Sequence, residues 1–162
     1  AQYRVLLQKL RRLPQAKSCE FVDSPKQNPK IEAHRLSGGY VLIQADCIQT
    51  IYNDTTQLVV VTNQDFSQIE SIVGSEINQG YGYDGMVAGS FKGRGIGDCW
   101  GRASWIWDGR KFSLTYSAPD QMCRGFTGGA WIMPTFLSLP TDTPEAEKQA
   151  EWNRERLKEY AD

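Results

Sequence analysis

Residues 103 to 115, ASWIWDGRKFSLT, can fold in few ways. The pair Asp108-Gly109 stands between two runs of strand-forming residues. This is the strongest short-range signal for a β-hairpin, because a type I′ turn needs positive φ at both central positions. A two-residue loop sets Trp107 against Arg110, Trp105 against Phe112 and Ala103 against Leu114, gathering the large apolar groups on one face. The opposite face, with Arg102, Ser104, Ile106, Lys111, Ser113 and Thr115, is expected to be mostly wet. The same parity carried backwards puts Cys99 on the apolar face, where an inward disulfide belongs.

The chain has four cysteines, Cys19, Cys47, Cys99 and Cys123. None lies in a CxxC or beside a histidine at zinc-ligand spacing, so neither a metal site nor a cofactor is expected. Of the three possible pairings, Cys19 with Cys47 and Cys99 with Cys123 is favoured, because each pair brackets one candidate β unit. The alternative is four buried free thiols in a reducing compartment.

Several segments organise the rest. Tyr3, Leu6, Leu7, Leu10 and Leu13 recur at helical spacing, and Pro14 ends that amphipathic helix. Residues 23 to 30, with two prolines, read as a loop, and the next ordered segment is expected only after Gly38-Gly39. Residues 40 to 45 (YVLIQA) and 58 to 62 (LVVVT) are β-branched runs that suit an antiparallel pair. The segment 66 to 73 fits a helical turn nearly as well as a strand, and Tyr81 to Gly85 echoes the aromatic-Asp-Gly hairpin cue. At the other end, Asp142 and Glu145 suit a capping box opening a charged helix that Trp152 would dock. The expected class is therefore α+β: an antiparallel β-sheet built from hairpins, flanked by an N-terminal and a C-terminal helix and stapled by disulfides. The chain divides into a helix at 1–16, a β-rich body at 17–140 and a charged helix at 141–162, all expected in one compact domain.

Charge excludes some partners. With 18 basic and 19 acidic residues the net charge is -1, so no global field draws the protein to nucleic acid. The first 17 residues hold five bases and no acid, while 142 to 162 carries seven acids against four bases. Two solvated helix faces, able to attract each other, are expected in preference to a nucleic-acid or lipid patch. No apolar run approaches the roughly 20 residues of a transmembrane span. The start at Ala1 suits a processed mature protein or a cut from a longer precursor.

Catalytic signals are absent. His34 is the single histidine and lacks triad or metal spacing, so a solvent-exposed or satisfied role is expected. No catalytic residue is assigned. Lys92-Gly93-Arg94-Gly95-Ile96-Gly97-Asp98 is the most unusual stretch: its alternating glycines could form an anion-binding nest flanked by Lys92 and Arg94. The plainer reading is a glycine-rich bend with Arg94 paired to Asp98. A second glycine-rich segment, Arg124 to Trp131, offers aromatics to stack on a sugar or peptide or to cover a disulfide. Lys92, Arg94, Asp98, Arg124 and Trp131 are the candidate binding residues.

The succession KGRGIGDC, WIWDGRKFSL and CRGFTGGAW, preceded by Cys47 and Tyr52-Asn53, resembles the C-terminal half of an exported proteobacterial family catalogued as domain of unknown function 1176. The resemblance covers roughly residues 17 to 137; the N-terminal helix and the acidic tail fall outside it. It implies a periplasmic location and supports the disulfides, but brings no activity or catalytic residue. The expected function is a non-enzymatic periplasmic binding or envelope-accessory module, inhibitor-like in one version, with an envelope protein or glycan as partner. The alternatives are an envelope glycan hydrolase or transferase using Asp98 with a second carboxylate, and a structural subunit assembling through its terminal helices.

Overall fold

The computed structural model describes residues 2–53, 55–74, 78–81, 85–119, 123–129, 133–138 and 151. Two antiparallel sheets are built from consecutive halves of the chain. The first holds β1 (Ile31–Arg35), β2 (Tyr40–Ile48), β3 (Thr56–Asn63) and β4 (Ile69–Gly74), in that order. The second holds β5 (Asn78–Tyr81), β6 (Met86–Lys92), β7 (Trp100–Trp107), β8 (Phe112–Pro119) and the short β9 (Phe136–Leu137). Against the first sheet lie α1 (Gln2–Arg11), a 3-10 turn at Pro14–Ser18 and α2 (Glu20–Asp23).

The β-branched runs of β2 and β3 are apolar on both faces because both faces are covered. Val41, Ile43 and Ala45 of β2, with Leu58 and Val60 of β3, pack under Leu6, Leu7 and Leu10 of α1 and Val22 of α2. Leu42, Val59 and Val61 point the other way and meet Val87 and Trp107 of the second sheet. The order of layers is thus helices, first sheet, second sheet. Trp107 ties the two sheets: its indole N–H donates to Ser37 Oγ at 3.0 Å, and its ring meets Tyr40 and Phe112 with centroids 5.3 Å away in each case.

The helix layer is held by its own cations. Lys9 donates to the carbonyls of Phe66 and Ser67, both at 2.6 Å. Phe66 is the described non-glycine residue with positive φ (58°), so this contact braces a strained turn between β3 and β4. Arg11 donates to Val22 O at 2.7 Å and Ser24 O at 2.6 Å. These two charges serve the interior of the fold instead of a solvated face, which corrects part of the reading of the basic N-terminus.

Other expectations need correction. Ordered structure does not wait for Gly38-Gly39: α2 and β1 precede it. The ambiguous segment 66 to 73 contributes strand β4. The hairpin of β7 and β8 forms, but Trp107 pairs with Phe112 and Trp105 with Leu114, across a four-residue connection. Asp108 Oδ1 accepts the N–H groups of Arg110 and Lys111, at 2.9 and 2.8 Å, and this side-chain turn replaces the type I′ loop. The slip is two residues as far as Trp105, which keeps the apolar face there; past a register irregularity between Ser104 and Trp105 it is three, and Ala103 pairs with Ser117 instead of Leu114. The opposite face is not wet: Ser104, Ile106 and Thr115 are buried, and the Ser104 and Thr115 hydroxyls bond each other at 3.1 Å. β5 and β6 do form an antiparallel pair around the second aromatic-Asp-Gly cue, whose residues 82–84 lie outside the described residues. Of the expected C-terminal helix at 141–162 only Glu151, which is helical, is described, and Trp131 also lies outside the described residues. No helix among the described residues is long and apolar enough to cross a membrane.

Candidate functional site

Cys19 is bonded to Cys47 and Cys99 to Cys123, the uncrossed arrangement. The first disulfide lies in the helix-side core. The second, beside the glycine-rich stretch, fastens the segment after residue 122 to the start of β7.

The stretch from Lys92 to Cys99 connects β6 to β7 and folds back on itself. Gly93 N–H donates to Cys99 O at 2.9 Å and Gly97 N–H to Arg94 O at 3.0 Å. Two amides that an anion nest would need are therefore engaged inside the loop, which removes much of the basis for that reading. Gly97 has φ 70°, a conformation that favours glycine. Arg94 grips Asp98 through Nε at 3.0 Å from Oδ1 and through Nη2 at Oδ2. The Asp98 side chain is fully enclosed while that of Arg94 is 51% exposed, so the pair is a lid-like guanidinium over a sealed carboxylate. Gly125 N–H adds a third bond to Asp98 Oδ2 at 2.7 Å. The bonded Arg94 guanidinium holds the Asp98 carboxyl below its ordinary value; burial opposes this and the Gly125 N–H reinforces it.

Sequence reasoning missed the third participant, the β2–β3 connection. Asn53 Nδ2 donates to Lys92 O at 3.0 Å, and Asn53 Oδ1 accepts Lys92 N–H at 2.6 Å. One amide side chain thereby satisfies both backbone groups at the end of β6. Next to it the Tyr52 ring lies so close to Gly95 that a Cβ there would stand 3.2 Å from the ring. The Tyr52-Asn53 step in the resemblance was the available signal, but its contacts lie about 40 residues away in sequence.

Of the five candidate binding residues, Arg94 and Asp98 pair with each other. Lys92 is half-buried, with Nζ 5.9 Å from the Trp100 ring centroid. Arg124 is exposed beside Cys123. Trp131 is not among the described residues. Around this knot large apolar side chains reach solvent beside Arg94 and Arg124: Ile51 is 91% exposed, Tyr52 53%, Ile96 52% and Phe126 63%. His34 sits on β1 beside Glu32, remote in sequence from all of these, with Nε2 3.8 Å from Glu32 Oε2. Among the described residues no three of His, Cys, Asp and Glu gather as metal ligands would.

The fold and its fastenings define a disulfide-stapled α+β protein with its loops knotted at one end. The chain belongs to the family described as "Protein of unknown function (DUF1176)", whose profile matches residues 1–138. That match includes α1, correcting the expectation that residues before 17 lie outside the family. No curated protein and no solved structure matches the chain.

Proposed function

We propose that the protein is an exported, periplasmic binding module that engages an envelope partner through the knotted loops, and that it is not an enzyme. The observation that carries this reading is the exposure of Ile51, Tyr52, Ile96 and Phe126 on three segments locked to one another by Asn53, Asp98 and the Cys99–Cys123 disulfide. Apolar side chains on rigid loops lose little entropy on association, and exposed apolar clusters mark interaction surfaces. Two disulfides favour an oxidising compartment.

The acid-pair alternative gains no support. Asp98 faces Arg94 instead of a second carboxylate, and its affinity for protons is lowered, the opposite of what a general acid requires.

The test is a photo-crosslinking amino acid placed at Ile51 or Phe126, with exposed Lys26 as the control position, in cells that export the protein. Adducts with one envelope component from the first two sites and not from the third are expected. If the three positions give the same adducts, or none, the reading is wrong.

A further inference from the structure

A cleft of about 510 Å³ opens between the end of the first sheet and the face of the second. It falls inside the roughly 300–1,000 Å³ range of small-molecule sites. Ile48, Phe91 and Pro119 form its walls, and Gly101 and Ala103 of β7 form its floor. The floor follows from register: Phe91, Gly101 and Pro119 stand in one row across the sheet, with Ala103 and Ser117 paired on the same face.

Gly101 has no role in folding that would require a glycine. It sits in β7, between β6 and β8, and its φ is not positive. A Cβ built on it would meet no atom of the described residues within 4 Å. A glycine inside a central strand weakens the sheet, and it marks places where something approaches the backbone closely. Here no described residue supplies anything that approaches.

The lining says what could. Ser18, Thr50 and Thr56 border the cleft, but each hydroxyl already donates to a carbonyl, of Gln15 at 2.9 Å, Asn53 at 3.1 Å and Ile48 at 3.3 Å. A hydroxyl has one proton to give, so a sugar would find these donors engaged. Arg102 also borders the cleft, yet strand alternation turns its side chain to the face opposite Gly101 and Ala103. Ser117, paired with Ala103 on the floor side, adds one further hydroxyl, so the described lining is uncharged and mostly apolar.

We infer that the cleft over Gly101 binds the hydrocarbon chain of an amphiphile, with the head group left in solvent at the open mouth. Size, a floor of glycine and alanine and a mostly apolar described lining all suit a chain held by apolar contact. The cleft adjoins the knotted loops at Thr50, whose hydroxyl bonds Asn53.

Phenylnaphthylamine, a neutral fluorophore, tests this on the full chain with both disulfides intact. Wild type is expected to bind it saturably, with dodecanol below its solubility limit competing and a chitin-type oligosaccharide not competing. Gly101→Leu is expected to abolish binding while melting at or above the wild-type temperature, since its side chain enters empty space. Ala103→Leu, on the same floor, should do the same and stands in if the first variant does not fold. Absence of saturable binding by wild type, undiminished binding in a folded variant, or competition by the oligosaccharide would each overturn the inference. So would a polypeptide adduct from a photo-crosslinker at position 101, which would make the cleft a protein-docking site.

Discussion

Gly125 N–H donates to the sealed carboxylate of Asp98 at 2.7 Å, joining two glycine-rich segments that lie 27 residues apart in sequence. Arg94 completes the arrangement from the solvent side.

Arg94→Ala leaves that carboxylate with far less compensation, and removing one partner of an enclosed charge is strongly destabilising. Lys92→Ala removes a cation stacked near Trp100 and should cost no more than about 1 kcal/mol. Thermal melts are expected to rank Arg94→Ala well below Lys92→Ala. The reverse order would mean that Lys92, not Arg94, holds the loop.

Acid should loosen the same knot. The folded-state pKa of Asp98 is lowered from 3.8, so its contribution is full above that value and is lost as pH falls through the lower folded value. Asp98→Asn should therefore show a shallower fall in melting temperature below pH 4 than wild type, on the order of its one missing titration. Parallel curves would refute this.

The two disulfides should differ in access. Cys19 and Cys47 are 0% and 1% exposed, whereas Cys123 is exposed at the surface. Mild reductant is expected to open Cys99–Cys123 first, read by mass mapping of alkylated thiols. Replacing Cys19 and Cys47 together by Ala should cost about 3 kcal/mol in the chain-entropy picture. Prior opening of Cys19–Cys47 would contradict the packing described for it.

Asn53→Ala removes two hydrogen bonds and leaves Lys92 N–H and C=O without them, a loss of about 1–3 kcal/mol. Hydrogen exchange at the Lys92 amide should accelerate in this variant while exchange in the interior of β3 is unchanged. Equal acceleration at both places would indicate global unfolding and not a freed loop.

Some of this could be read from sequence because it is periodic. The stripe of α1 and the runs of β2 and β3 are local patterns, and the Arg94–Asp98 pair is only four residues apart. β1 escaped notice because IEAHR offers only Ile31 and Ala33 as apolar residues: it is an edge strand formed by pairing with β2. The β7–β8 register depends on where the Asp108 side chain places its bonds, a choice that Asp-Gly alone does not determine. The docking of Tyr52 on Gly95 and Asn53 on Lys92 is tertiary and has no local pattern at all. The cleft was also missed, since Gly101 is conspicuous only once the space before it is seen.

Because each sheet is a contiguous half of the chain, the order of synthesis is also an order of assembly. The first 74 residues contain α1, α2, the first sheet and a complete disulfide pair, so the helix-side core can close early. Its other face cannot: Leu42, Val59 and Val61 wait for Val87 and Trp107, which come later. An emerging chain therefore carries a greasy, half-finished sheet until its second half arrives, and it is in that interval that the protein is most exposed to aggregation.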